Sequence, residues 1–238
     1  MTTNDSLDEV TQAIVDRALR RYEGWRRQVH ERTDRGFAKL LAVEWIAGIV
    51  FALVISPYAW EGRERTLHQH VFLAAGLGAM IVSLPIFLAW KRPGEAVTRH
   101  VIAAAQMMMS ALFIHLTGGR IETHFHIFGS LAFLSFYLDW KVIVTAIAVT
   151  VADHFFRGIY YPESIYGVLL PDEFRFLEHG AWVLFCGFFL VRHANKTSKA
   201  WLTFAEEGGM LEAISEVEWR ERSVLEREAM ERAKAEGA

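Results

Sequence analysis

Residues 71–90 read VFLAAGLGAMIVSLPIFLAW and hold no charged side chain. As an α-helix, about 20 such residues rise roughly 30 Å, the thickness of a bilayer's hydrocarbon core. Working outward, comparable apolar stretches fall at 38–57, 99–117, 124–140, 141–158 and 178–194, and the fourth and fifth are joined by a tight turn at Asp139-Trp140-Lys141. Backbone N–H and C=O groups at membrane depth must bond within the chain, so the spacing predicts helices. A barrel would need alternating polar and apolar positions, and Ala74–Met80 and Val142–Val151 show none. The rest of the composition agrees with this reading. Of 238 residues 53% are hydrophobic and 22% charged, with the charges gathered in 1–37 and 196–238. That distribution excludes an ordinary soluble enzyme. With net charge −3 and no basic face, nucleic acid is excluded as a partner. Cys186 stands alone, so no intrachain disulfide forms.

Orientation follows from the basic residues of the short loops. Arg17, Arg20, Arg21, Arg26, Arg27, Arg32, Arg35 and Lys39 precede the first span, Lys91 and Arg92 follow the second, and Arg192, Lys196 and Lys199 follow the last. The opposite loops carry only Arg63, Arg65, Arg120, Arg157 and Arg175. Six spans with both termini cytoplasmic satisfy this bias. Polar residues precede the first apolar run, which therefore reads as an uncleaved signal-anchor. The expected fold is an all-α integral membrane protein in three parts. Residues 1–37 form a cytoplasmic amphipathic helix with a rough stripe of Val10, Ile14, Tyr22, Trp25 and Val29, and 38–195 form a six-helix transmembrane bundle. Residues 196–238 form a cytoplasmic linker helix, a marginal coiled coil whose seam is Met210, Ile214, Val217 and Val224, weakened by Glu221 and Glu228. The tail stops without a cap or closing hydrophobic element, which reads as a boundary inside a longer protein.

On this topology the histidines are the most informative residues. His68, His70, His115, His124, His126, His154 and His179 all map to one outer layer, while His30, His100 and His193 map toward the cytoplasm. Glu122, Asp153 and Glu178 share the outer layer. A single interfacial histidine is ordinarily an anchor, but polar groups clustered at membrane depth are turned inward and paired. Imidazole and carboxylate together are the ligand set of zinc, iron and copper. The candidate metal ligands are His115, His124, His126, His154 and His179, with His68 and His70 as further candidates. Glu122, Asp153 and Glu178 serve as ligands or as the partners that orient the rings. Two of the same histidines could instead hold haem. His124 and His126 point about 200° apart on a regular helix, so both reach one ion only if the backbone after Gly118-Gly119 is extended or unwound. Met107-Met108-Met109 spread round a helix and read as packing, and Trp60, Trp90, Trp140 and Trp182 as interfacial belts. Glu44 is an isolated intramembrane acid, with Arg99 as a candidate partner.

The run Thr117-Gly-Gly-Arg-Ile-Glu-Thr-His-Phe-His126, followed by Phe136-Tyr-Leu-Asp-Trp140, resembles the N-terminal membrane input regions of some bacterial histidine kinases, chemotaxis transducers and diguanylate cyclases. The pattern there is G-x-I-E-x-H-F-H, a Tyr and Asp-Trp turn, then a histidine pair. Here Asp153-His154 replaces that pair, as in a branch that also carries Pro162-x-Ser164-x-Tyr166-Gly167 and Glu178-His179. The resemblance covers roughly residues 40–195. It implies a sensory input domain in the bacterial inner membrane, joined to a kinase or other output domain beyond residue 238, while the expectation of a homodimer comes from the linker helix and its seam. It names no ligand. The stretch from Glu226 to Ala235 is similar to helical linkers that lead into kinase dimerisation domains.

The expected function is therefore sensing. Binding of copper, zinc or iron, or of haem, at the outer layer shifts the last span, and Val191 passes the change to the seam residues. A metal-free small-molecule receptor using the same histidines is the alternative. A di-metal oxidase or hydroxylase fits less well, because the spans lack H-x-x-x-H and H-x-x-H-H boxes, whose spacing puts both ligands on one helix face. The chain itself shows no kinase, cyclase or ATP-binding motif, so it is not read as an enzyme.

Overall fold

The computed structural model describes residues 3–169 and 174–236, and these are almost wholly helical. In chain order they form α1 (Thr3–Ile55), a hairpin of β1 (Tyr58–Glu61) and β2 (Glu64–Leu67), α2 (Gln69–Phe72), a π turn (Leu73–Leu77) and α3 (Gly78–Lys91). Next come α4 (Ala96–Leu116), α5 (Ile121–Leu134), a 3-10 turn (Ser135–Tyr137), α6 (Trp140–Tyr160), α7 (Glu163–Tyr166) and α8 (Arg175–Glu236). Among the described residues four helical stretches are long and apolar enough to cross a membrane: Thr11–Ile55, Gln69–Lys91, Ala96–Leu116 and Trp140–Tyr160. This is an all-α membrane architecture, with two fewer such helices than the six expected. At 14 residues, α5 rises only about 21 Å, short of a bilayer core. The sixth apolar run lies inside α8 between Glu178-His179 and Arg192-His193, which dilute its hydropathy.

The chain divides into two compact units, Arg27–Thr197 and a second made of 1–26 with 198–238. Within the larger one, α4 is the central helix. Its apolar window is 61% buried, against 28% for each of the other three. Small residues such as Ala103 and Ala105 on α4 let its neighbours approach, and Ile102, Met107 and Ile114 fill the core between them. Met107 and Met109 are buried in separate apolar clusters while Met108 is exposed, as packing residues on successive helix positions should be. Close helix approaches are made at glycines. A Cβ on Gly48 would meet Phe113 of α4, and one on Gly187 would meet Ile147 of α6. The π turn releases backbone carbonyls from the helical ladder. The indole Nε1 of Trp45 takes them up, donating to Ala74 O at 3.2 Å and Ala75 O at 3.1 Å.

Two polar clasps fix the ends of the helices. At the end where α6 begins, Tyr137 is fully buried and donates to Asp34 Oδ1 at 2.7 Å, while Asp34 Oδ2 accepts from Gly94 N at 2.6 Å. Arg99 near the start of α4 pairs with Asp139, the N-cap of α6, at 2.9 Å. At the other end, Gly118 and Gly119 leave α4 with φ of +70° and +74°, and the Gly119 Cα lies against the backbone of Ile165 and Gly167. Thr117 on the α4 side bonds Thr123 of α5 at 2.9 Å. Thus α5 and its 3-10 extension connect the same two ends that α4 and α6 connect.

In the smaller unit the early part of α1 and the late part of α8 lie antiparallel. Trp25 stacks on Trp201 with centroids 4.3 Å apart, Tyr22 bonds Ser198 at 2.6 Å, and Arg17 pairs with Glu216 at 2.7 Å. Gly209 admits this approach, because a Cβ there would stand 3.4 Å from Ala18 Cβ. Ile14, Tyr22 and Trp25 of the N-terminal stripe thus meet the tail helix of the same chain.

Candidate functional site

His124, His154 and His179 come from the first turns of α5, the last turns of α6 and the first turns of α8. Their ring centroids are mutually close: 5.7 Å for His124–His154, 5.3 Å for His124–His179 and 6.1 Å for His154–His179. Each ring is held the same way. Nδ1 of His124 bonds the Arg120 carbonyl at 2.9 Å, Nδ1 of His154 the Thr150 carbonyl at 3.1 Å, and Nδ1 of His179 the Arg175 carbonyl at 3.0 Å. A carbonyl only accepts, so each Nδ1 carries a proton, and in the neutral form of each ring the lone pair is on Nε2. Donation of the second ring nitrogen to a backbone carbonyl is the usual way a metal-binding imidazole is oriented. His124 is 4% exposed, and its Nε2 is buried without a partner. His154 Nδ1 also lies 3.3 Å from Asp153, whose carboxylate Arg157 clamps by bonds of 2.7 and 2.6 Å.

The three rings are part of the lining of a cavity of about 550 Å³ between α5, α6 and α8. Phe125, Phe128, Trp182, Val183 and Phe185 form its apolar walls, and Glu178 and Cys186 are its other polar residues. Tyr166 of α7 packs on His179 at 5.3 Å, with Arg175 5.5 Å from the Tyr166 ring. Burial pushes the Tyr166 phenol above its usual range, and Arg175 draws it partly back.

The structure splits the remaining candidates. Helix α5 is regular from Ile121, and the unusual backbone is confined to Gly118-Gly119, so the unwound segment that would bring His124 and His126 together is absent. His126 instead turns to the bundle interior, with Nε2 3.2 Å from Glu44 and Nδ1 2.8 Å from Ser110. Glu44 therefore belongs to His126 and Gln106, the latter at 2.6 Å, and not to Arg99, which Asp139 occupies. His68, His70 and His115 form a separate group, with centroids 4.2 Å apart for the first pair and 5.0 Å for the second. Nδ1 of His68 accepts the His70 N–H at 3.1 Å and so caps α2. His70 bonds Ser56 at 2.7 Å, and His115 bonds Ser164 at 3.0 Å. Ser164 also accepts from Arg157 at 2.7 Å, which joins this group to Asp153 and His154. Glu122 is exposed on the first turn of α5, outside both groups. Along α8, Val191 packs against the core, while Met210, Ile214, Val217 and Val224 are exposed.

Among the described residues no three His, Cys, Asp or Glu side chains stand ready to hold a metal ion. Three imidazoles on one tetrahedral ion place their ring centres about 5 Å apart, from metal–nitrogen bonds of about 2.1 Å. The observed 5.3–6.1 Å is wider by up to about 1 Å. Sequence reasoning missed Trp182 as a cavity wall, having assigned it to an interfacial belt. It also missed Gln106 and Arg157 as the links between polar groups, since neither carries a motif of its own. No family model, curated protein or solved structure matches the chain.

Proposed function

We propose that the chain is a membrane-embedded sensory input domain whose ligand-binding centre is the His124–His154–His179 triad, and that the triad closes on a transition metal. What carries the reading is three imidazoles from three helices, each with Nδ1 tied to its own helix and Nε2 left as the lone pair. Closure would draw α5, α6 and α8 together by about 1 Å at this end, at rings that are already oriented. A bare ion suits three convergent imidazoles better than haem, which takes two. Copper, zinc and iron all accept this donor set, and affinity order favours copper.

In this proposal the domain crosses the bacterial inner membrane six times, with both termini cytoplasmic and the triad near the outer face. Support for the crossing of α5 comes from the clasps. Residues 121–137 link the Gly118-Gly119 end to the Tyr137–Asp139 end, as α4 and α6 do. Helix α8 carries His179 near its start and the exposed Met210, Ile214, Val217 and Val224 further along, so a shift at the triad acts on the element that bears the seam. A second copy of the chain would cover that seam and pass the change to a signalling output in the full-length protein.

The test is elemental analysis of detergent-purified chain after exposure to Cu, Zn or Fe and desalting. Near-stoichiometric metal is expected in wild type and in His126→Ala, and its loss in His124→Ala and His154→Ala. Equal retention in all four proteins, or no metal in any, would sink the proposal. The apolar cavity favours one further reading, a metal-free receptor for a small organic molecule. That reading gains if no metal binds.

A further inference from the structure

Arg32, Arg35 and Lys39 lie on one face of α1 and are all exposed. Spaced by three and four residues, they fall within about 80° of helix surface together with Val43, Ile46 and Val50, which are exposed as well. Along the helix this face therefore passes from three cations to a run of bare apolar side chains. The carboxylates at this end are already taken. Glu31 pairs with Arg27 at 3.0 Å, Asp34 accepts from Tyr137 and Gly94, and Asp139 holds Arg99. Among the described residues none of the three cations has an ion-pair partner.

Beside Arg32 opens a groove of about 350 Å³, with Gly36, Phe37 and Leu40 of α1 on one side and Phe133 and Phe136 on the other. Phe37 is buried and stacked on Tyr137 at 5.7 Å, so that wall is fixed. Phe133 and Phe136 stand exposed with ring centroids 6.1 Å apart. A Cβ on Gly36 would meet nothing within 4 Å, so this glycine keeps space open and seats no neighbouring helix. A soluble anion would neutralise the cations and leave the groove and the stripe uncovered. A zwitterionic lipid would cover the apolar surface but brings its own cation to the phosphate. A lipid with net negative charge satisfies both parts, since phosphate oxygens accept charge-assisted bonds from Arg and Lys. We infer that this face seats one anionic phospholipid. Its phosphate lies at Arg32, Arg35 and Lys39, one acyl chain in the groove against Phe133 and Phe136, and the other along Val43, Ile46 and Val50. The inference rests on α1 lying in a bilayer and is independent of what the triad binds.

The test is native mass spectrometry of the full chain in a nonionic detergent, titrated with dioleoylphosphatidylglycerol or dioleoylphosphatidylcholine. Each cation near an anionic head is worth about fivefold in binding, so the first phosphatidylglycerol is expected to bind at least about tenfold tighter than the first phosphatidylcholine. Arg32→Gln, Arg35→Gln and Lys39→Gln combined are expected to abolish that preference. The same charge change in the tail, Arg220→Gln, Arg222→Gln and Lys234→Gln, is expected to keep it. Gly36→Leu leaves every charge in place, fills the groove and suits a helix. It is expected to weaken phosphatidylglycerol by at least about fourfold, the worth of one methylene kept out of the groove. Thermal unfolding midpoints confirm that each variant is folded. The inference is overturned by equal affinity for the two lipids in wild type, or by equal loss of preference in the two triple variants, which would leave net charge alone. Undiminished binding in Gly36→Leu would overturn it by showing that no chain enters the groove. Displacement of the lipid by an equal concentration of glycerol phosphate would do so too, since the head alone would then be recognised.

Discussion

At the level of single residues, the pair Glu44 and Gln106 shows what burial demands of a polar side chain. Gln106 is fully buried and Glu44 is 6% exposed, yet Glu44 Oε2 and Gln106 Oε1 have no partner. Both are acceptors, and a buried unpaired acceptor costs about 1–3 kcal/mol. Glu44→Gln adds an amide donor at that position while keeping the oxygen that accepts from Gln106 Nε2. It is expected to raise the thermal unfolding midpoint in detergent, by about 1 kcal/mol in stability. Glu44→Ala strands the Gln106 amide instead and is expected to lower it. A lower midpoint for the glutamine variant than for the alanine one would show that this network is organised otherwise. Glu44 was visible in the sequence as an intramembrane acid, but its partners were not. Gln106 lies 62 positions away and carries no charge to advertise it.

At the level of elements, the decisive contact is backbone against backbone. Gly119 sits at φ +74°, where a Cβ would stand 2.4 Å from Gly167 N and 2.6 Å from Ile165 O. That contact seats α7, whose Ser164 bonds both His115 and Arg157. Gly119→Ala is expected to cost about 3 kcal/mol, strain and clash together, and to loosen the Asp153–Arg157 clamp behind His154. Gly129 on α5 has nothing within 4 Å of its would-be Cβ. Gly129→Ala is therefore expected to be neutral or to stabilise by about 0.5–1 kcal/mol through helix propensity. Denaturation curves of the two variants check the contrast, and similar midpoints would contradict it. The sequence marked Gly118-Gly119 as a place where backbone departs from helix. It did not reveal that the departure ends at Arg120, which leaves His124 and His126 on opposite sides of a regular turn.

At the level of the whole molecule, one labelling series counts the crossings. In a Cys186→Ser background, a cysteine is placed at Lys141, at Arg63 in the hairpin turn, or at Glu231 in the tail. A membrane-impermeant maleimide is then applied to right-side-out vesicles and to lysed ones. Six crossings require Lys141→Cys and Glu231→Cys to react only after lysis and Arg63→Cys to react before it. Should α5 fail to cross, Lys141→Cys labels with Arg63→Cys, and the four strongly apolar helices are the whole membrane domain. The same comparison tests the basic-loop bias, since four and six crossings both return the tail to the side of the N-terminus.

What the sequence determined by itself was composition-driven: helices, apolar stretches of membrane length, charged flanks, and a layer of histidines at one end of those stretches. These follow from local rules, because transfer into hydrocarbon and hydrogen bonding within a helix depend on residues a few positions apart. Tertiary structure alone decided how that layer divides. It grouped His124, His154 and His179 from three helices, set His68, His70 and His115 apart, and turned His126 to Glu44. Such grouping depends on helix rotation and on where neighbours meet, which are fixed by glycine contacts such as Gly187 on Ile147 and by clasps such as Asp34 with Tyr137. Those partners are 40 and 103 residues apart, beyond the reach of any periodicity.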